Sequence, residues 1–331
     1  MTEPGQPSTL PAATLPYALL RAGMVPPARY LEAVGLVRDD AFWRRWGQAA
    51  LLALAVGQIL AGVVFFFAFN WAELPPFAKL GVIEAGIVAC VAGAWLGRGR
   101  PAAWSTLVTA AATLVGVLLA VFGQIYQTGA DAYTLFVGWA LLILPWVALS
   151  RTLATWALWL VVAGVGGAAW AIQIAIPLGW LRAELLAALL ALFYAAALLL
   201  RELAARRWCG WLSPLWPRRL LAAAILALTF SAAAPAVFEG EPGPAGWLAI
   251  AGFAVAAAGL ATWGRRMHDL PVVALSVLAG SLYLCLVGGR IAGETGDAVA
   301  GAFTFLVLVA AVFGTAFAVL RRVRAGMTAH G

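Results

Sequence analysis

Charged residues are scarce in this sequence of 331 residues. They make up 11% of the chain, whereas a soluble domain has about 25%. So few charges cannot cover the surface of a water-soluble protein of this length, and 64% of the residues are hydrophobic. Lipid must therefore surround most of the chain, which excludes a soluble enzyme or a soluble binding domain.

Cysteine and histidine are also scarce, which argues against disulfide and metal chemistry. Cys90, Cys209 and Cys285 form no CxxC pair, and two of them lie inside apolar runs. His268 and His330 lie in a basic loop and in the tail. The sequence therefore predicts neither a disulfide framework nor a metal site, and it suggests no cofactor.

Motifs that carry catalysis are missing as well. The sequence has no HExxH, no Walker loop, no GxSxG in a suitable context and no pair of intramembrane aspartates. The arginine-rich loops between the apolar runs, which we assign to the cytoplasm, are too short for an ATP-binding domain. We therefore predict that the protein is not an enzyme.

The formal net charge of +7 comes from 20 arginines and a single lysine, Lys79. These residues stand in short groups between apolar runs and are not clustered as a nucleic-acid groove requires. The charge therefore predicts membrane topology and does not predict nucleic-acid binding.

The apolar runs predict an all-α, polytopic membrane helix bundle. A spanning helix needs about 20 mostly apolar residues, and proline and glycine pairs interrupt the runs. We predict about ten spans: 48–69, 77–97, 102–122, 132–149, 152–172, 182–200, 220–238, 245–263, 270–288 and 298–320.

The arginines alternate between the two ends of these spans. Sixteen occupy the loops on one side, whereas the other side has only Lys79, Arg182 and Arg290. Basic loops are retained in the cytoplasm. We therefore expect both termini in the cytoplasm and a location in the bacterial inner membrane, with the bilayer as the partner of the spans.

The remaining segments are cytoplasmic in this interpretation. Residues 1–47 form a segment of short helices, 201–219 a basic loop and 321–331 a basic tail, between the span regions 48–200 and 220–320. The last of three predicted short helices, 39–46, places Trp43, Arg44, Arg45 and Trp46 at the interface. It is either a membrane anchor or a docking site for another membrane protein.

Two loops suggest an internal duplication. GQIYQTGADA at 123–132 resembles GRIAGETGDA at 289–298, an offset of 166 residues. The same offset places spans one to four on spans seven to ten. We predict a parallel 4+4 repeat joined by spans five and six, although few identities support it and matching hydropathy alone can arise by chance.

One carboxylate lies well inside a predicted span. Glu84 is about 10 Å below the end of span two, where a charge is costly unless it is paired, protonated or facing the bundle. Gln58 of span one is the predicted partner. Glu84 is either a proton-responsive group or a neutral carboxyl that packs two helices.

Polar residues also gather at the ends of spans one and three. Asn70, Trp71 and Glu73 follow span one, and Gln124, Tyr126, Gln127 and Asp131 follow span three. They are either a polar pocket that faces the periplasm or ordinary loop residues.

Several of these stretches resemble a known family. FFFAFNWAELPPFAKL (65–80), FGQIYQTGADAYTLF (122–136), LPW (144–146) and GLVRDDAFWRRW (35–46) are similar to signatures of the bacterial predicted membrane proteins called domain of unknown function 2157. The resemblance covers residues 15–170. It implies an inner-membrane location, and it implies no activity or catalytic residue.

Two functions remain after these exclusions, with an intramembrane enzyme as a weaker third. The first is a non-enzymatic component that binds partners, as a scaffold or sensor. The second is a proton-linked transporter of a lipidic or weakly polar solute that uses Glu84. The sequence names neither the partner nor the oligomeric state.

Overall fold

The computed structural model describes residues 73–127, 131–207, 209–239, 241–294 and 296–329, together with single residues between 19 and 65. The chain divides into two compact units. One consists of Met1–Leu74 with Arg321–Gly331, and the other is Pro75–Leu320. All regular structure in the described residues is helical, as predicted.

Nine described helices are long and apolar enough to span a membrane. They are α1 (Pro76–Leu96), α2 (Pro101–Ile125), α3 (Ala132–Ser150), α4 (Leu153–Trp170), α5 (Ala183–Arg207), α6 (Trp216–Ala233), α7 (Pro244–Arg266), α8 (Leu270–Gly293) and α9 (Ala298–Ala329). A π-helical turn, Ala171–Ala175, extends α4, and a 3-10 turn, Pro235–Val237, follows α6.

These nine helices match predicted spans two to ten, which confirms the prediction of about ten spans. The first predicted span, 48–69, lies mostly outside the described residues. Proline stands in the first turn of five helices, where its missing N–H needs no partner. Proline therefore marks both the predicted breaks between spans and the observed starts of these helices.

Neighbouring helices pack as antiparallel hairpins, α1 with α2, α3 with α4, α5 with α6 and α7 with α8. An apolar core is formed by residues of α4 to α8, and Leu160, Leu221, Ile225 and Val272 are among its buried side chains. Most of each helix remains uncovered by protein; Leu149, for example, is 81% exposed. Lipid must cover these apolar faces.

The helix ends form two faces of different charge. The arginine-rich face carries the α1–α2, α3–α4, α5–α6 and α7–α8 connections, and contacts such as Trp104 Nε1 to the Ser150 carbonyl (3.1 Å) join neighbouring connections. The acidic face carries the opposite ends, where the Tyr133 N–H donates to Gln173 Oε1 at 3.1 Å. The alternation of arginines in the sequence corresponds to these two faces.

The duplication remains a prediction. α3 begins at Ala132 and α9 at Ala298, which preserves the offset of the two loop sequences. The preceding aspartates differ, because Asp297 Oδ1 accepts a hydrogen bond from the Val299 N–H at 2.9 Å whereas the side chain of Asp131 caps no N–H. The two loops are therefore alike in position and different in local bonding.

Candidate functional site

Five charged side chains meet on the arginine-rich face, where the ends of α5, α6 and α8 come together. We call Arg201, Glu202, Arg218, Arg219 and Asp269 the charge cluster. Arg218 donates to Glu202 twice, from Nε to Oε1 at 3.0 Å and from Nη2 to Oε2 at 2.8 Å. This paired geometry is the strong form of an arginine–carboxylate contact.

The other members extend the cluster on both sides of this pair. Arg201 donates to Glu202 and to the carbonyl of Pro214. Asp269 accepts from Arg218 Nη1 at 3.4 Å and from Arg219 Nε at 3.1 Å. The guanidinium of Arg218 also lies 5.1 Å from the centre of the Trp263 ring, a cation–π contact.

Local backbone structure brings Asp269 to the arginines. His268, in the left-handed region with φ 53°, turns the chain after α7. Asp269 then precedes the first residue of α8, the position where an aspartate side chain ordinarily accepts a helix N–H. Here no such bond forms, and the carboxylate binds Arg218 and Arg219 instead.

Four members of the charge cluster are buried, all except Arg219, so their charges depend on one another. Arg201 is 1% exposed and the Asp269 side chain 1%. Removing a buried member of such a group leaves another charge without compensation, at a cost of about 3–5 kcal/mol. The cluster therefore locks the ends of three helices together and fixes the loops between them.

Sequence reasoning missed this cluster because it treated the arginines as topological loop charges. α5 continues to Arg207 and α6 begins at Trp216, so four of the five residues are helical and not part of a loop. One signal was available: Glu202 and Asp269 are carboxylates placed among arginines in a chain that has few acidic residues.

A second, uncharged network joins α2, α3 and α4 near the same face. The Thr155 hydroxyl is fully buried and lies 2.9 Å from Thr109 Oγ1 and 2.7 Å from Thr152 Oγ1. Ser150 Oγ extends the chain at 3.4 Å from Thr152 Oγ1. Hydroxyl groups thus satisfy one another between helices, as expected where water is absent.

Tryptophans also join helices inside the bundle. Trp139 Nε1 donates to the Ala112 carbonyl at 2.8 Å, and its ring lies against Gly116, where an added Cβ would be 2.4 Å away. Trp159 Nε1 donates to the Ala140 carbonyl at 3.0 Å. These contacts explain why tryptophan can lie deep in a span and not only at its end.

On the acidic face, Arg290 holds the chain that leaves α6. It donates to the carbonyls of Val237 and Glu239 and, through Nε at 3.0 Å, to Glu294 on the next turn of α8. This arginine therefore satisfies backbone groups that the end of a helix leaves without partners.

The structure describes part of the predicted intramembrane pair and interface anchor. Glu84 is exposed on α1, and Gln58 is a helical residue of the other unit. Trp43 and Arg44 are exposed helical residues, whereas Arg45 and Trp46 lie outside the described residues. The proposed roles of these side chains stay predictions.

The predicted polar pocket is described only in part. Gln124, Tyr126 and Gln127 are exposed at the end of α2, with Gln127 in the left-handed region at φ 44°. Asp131 is exposed before α3, and Glu73 belongs to the other unit. Asn70 and Trp71 lie outside the described residues, so the pocket also stays a prediction.

An apolar groove runs along α5, α6 and α7 beside the charge cluster. Its half nearer the arginine-rich face has a volume of about 680 Å³, with Glu202 and Trp263 among the lining residues. A second cavity of about 530 Å³ continues toward the acidic face, where Glu184 and Glu239 line it. The residues common to both halves are Ala188, Thr229, Leu248 and Gly252.

The groove opens toward the membrane and is not enclosed in the bundle. Leu192 and Leu199 on the α5 side are each 65% exposed, and Val255 on the α7 side is 72% exposed. Within the described ranges, no group of three or more His, Cys, Asp or Glu side chains is placed to hold a metal ion. The groove therefore suits an apolar occupant.

The comparison with protein families agrees with this all-helical, lipid-exposed architecture. Residues 18–156 match the family "Predicted membrane protein (DUF2157)". The match covers the N-terminal segment and the chain through the start of α4, and it confirms the resemblance found in the sequence motifs. No curated protein and no solved structure matches the chain.

The DUF2157 match and the structural site lie in different parts of the chain. The charge cluster and the groove are built from α5 to α8, which begin after residue 156. The family description gives a membrane protein and names no activity. The family match therefore implies no function for the groove.

Proposed function

We propose that this protein is a non-enzymatic, multi-pass component of the bacterial inner membrane that binds partners as a scaffold or sensor. The observation that carries the proposal is the charge cluster, which ties the ends of α5, α6 and α8 into one rigid face. A fixed face of this kind presents loops in constant positions, as a docking surface requires.

The proposed orientation places the arginine-rich face in the cytoplasm. Its support is the asymmetry of exposed charge, with Arg265 and Arg266 on one face and Glu184 and Glu241 on the other. The N-terminal segment would then be cytoplasmic. Partner recruitment by this segment remains part of the proposal.

Labelling of single cysteines tests the orientation. In a chain without its native cysteines, Gly99→Cys on the arginine-rich face should react with a membrane-impermeant maleimide only after the cells are opened. Glu241→Cys, the matched variant on the acidic face, should react in intact spheroplasts. The reverse pattern would refute the orientation.

Crosslinking tests the proposed function. Deletion of residues 1–37 should abolish recovery of the crosslinked partner while the protein still inserts. Glu84→Gln serves as the matched control, because a scaffold does not use the charge of this residue. Recovery that survives the deletion would refute recruitment by the N-terminal segment.

Proton-linked transport is the alternative, and the single carboxylate inside α1 favours it. Glu84 lies eight residues beyond the start of α1, within the apolar part of the helix. If Glu84 couples protons to transport, Glu84→Gln should abolish uptake of a lipidic or weakly polar solute into vesicles with a pH gradient. Deletion of residues 1–37 should leave this uptake intact. The two functions therefore predict opposite effects of the same two changes.

A further inference from the structure

The groove along α5, α6 and α7 cannot remain empty in a bilayer. Its lining is apolar over most of its length, and its side walls are exposed to the membrane. Water in the groove is not stabilised, because apolar walls offer it no hydrogen-bond partners. An acyl chain or an apolar helix must therefore fill it.

The groove is long enough for lipid chains. From Ala245 to Trp263, α7 rises about 27 Å at 1.5 Å per residue, close to the hydrocarbon thickness of about 30 Å. The half that includes Trp263 and Glu202 opens at the arginine-rich end of these helices. A chain that enters this half brings its headgroup to the arginine-rich face.

The charge at this mouth is positive. The two carboxylates nearby, Glu202 and Asp269, are buried and bound to arginines of the charge cluster. Arg207, Arg265 and Arg266 are exposed at the ends of α5 and α7. The accessible groups are therefore cationic, whereas Glu184 and Glu239 line the opposite half.

We propose that this half of the groove binds the acyl chain of an anionic phospholipid, with the headgroup phosphate at Arg266. The α7 residues that line the groove include Gly252, Gly259 and Trp263. Arg266 follows Gly259 by seven residues and Trp263 by three, so it continues the same helical stripe. Arg265 lies about 100° further around the helix, off this stripe.

A helix of a partner protein is the competing occupant, because small residues also allow close helix packing. The charge distribution favours the lipid. A phosphate satisfies an arginine with paired hydrogen bonds and lies at the membrane surface, where Arg266 ends the stripe. Tryptophan is enriched at the same depth, and Trp263 lines this mouth.

The experiment uses the full-length protein in vesicles of phosphatidylcholine that contain a trace of phospholipid with a photoactivatable acyl chain. The probe is either phosphatidylglycerol or phosphatidylcholine, and labelled peptides are mapped by mass spectrometry. We expect phosphatidylglycerol to label residues 248–263 more strongly than phosphatidylcholine does. Equal labelling by the two probes would overturn anionic selectivity.

Filling the groove tests the position of the chain. Gly252 and Gly259 line it, and nothing lies within 4 Å of a Cβ built at either residue. Gly252→Leu with Gly259→Leu therefore meets no clash at Cβ, and the two leucines should occupy the groove and abolish labelling of residues 248–263. Gly280→Leu on α8, where space is also open, is the matched control and should leave labelling unchanged.

Adjacent arginines test the headgroup contact. Arg266→Gln should reduce phosphatidylglycerol labelling by up to about fivefold, the upper range for the loss of a single ion pair at an exposed surface. Arg265→Gln should reduce it much less. Equal effects of the two variants would overturn the phosphate site, and labelling that survives the filled groove would overturn the groove itself. A co-purifying protein that crosslinks to residues 248–263 and excludes the lipid would also overturn the proposal.

Discussion

Arg218 binds Glu202 through two parallel hydrogen bonds, of 3.0 Å and 2.8 Å, that join the first turn of α6 to the end of α5. Both side chains are almost fully buried. A pair like this one makes the helix ends depend on each other, because neither charge can be hydrated when its partner is removed.

We expect Glu202→Gln to lower the free energy of unfolding by about 3–5 kcal/mol. The change keeps the shape of the side chain and leaves Arg201 and Arg218 without a shared counter-charge. Unfolding in mixed micelles with increasing SDS measures the loss. The Glu202→Gln and Arg218→Gln changes should also be strongly non-additive when they are combined.

Arg219→Gln is the matched control for the cluster. Arg219 binds Asp269 at 3.1 Å, but its side chain is 39% exposed. A partly hydrated pair contributes about 1 kcal/mol or less. If this change destabilised the protein as much as Glu202→Gln does, burial would not explain the strength of the cluster.

Gly116 should not tolerate a side chain. An alanine Cβ would lie 2.4 Å from the ring of Trp139, so Gly116→Ala should cost about 1–3 kcal/mol in the same unfolding assay. Gly138→Ala, one residue before that tryptophan on α3, meets open space and should be neutral or slightly stabilising. Similar losses in the two variants would contradict the contact between α2 and α3.

The hydroxyl network of α2 and α4 gives a smaller prediction. Thr155→Val removes hydrogen bonds to Thr109 and Thr152 without changing volume, and it should cost about 1 kcal/mol. Thr113→Val is the control, because the hydroxyl of Thr113 bonds only to a carbonyl of its own helix. Thermal unfolding in detergent compares the two, and an equal shift in both would show that the interhelical bonds add nothing.

The sequence predicts the helices of this protein better than it predicts their ends. The long apolar runs are unambiguous because the bilayer demands continuous apolar helices. The end of α5 is different: residues 201–207 carry four charges, so hydropathy marks them as a loop, yet Arg, Glu, Leu and Ala are all good helix formers. The helix therefore continues past the predicted end of span six.

The charge cluster and the groove depend on contacts that no local pattern contains. Glu202 and Asp269 are 67 residues apart, and only the packing of α5, α6 and α8 brings both to Arg218. The groove exists because α5 and α7 are separated from each other over α6. Alanine and glycine line much of it, but both are common throughout the chain and so do not mark its position in the sequence. The sequence shows that these carboxylates lie near arginines along the chain, but it does not show which arginine each carboxylate binds.

The two loops of the predicted repeat should respond differently to the same substitution. Asp297 Oδ1 accepts from the Val299 N–H at 2.9 Å at the start of α9, so Asp297→Ala should cost about 1 kcal/mol of stability. Asp131 makes no such bond at the start of α3, and Asp131→Ala should cost only a few tenths of a kcal/mol. SDS unfolding of both variants tests this difference. If Asp131→Ala cost as much as Asp297→Ala, Asp131 would have a structural role that its exposed side chain does not indicate.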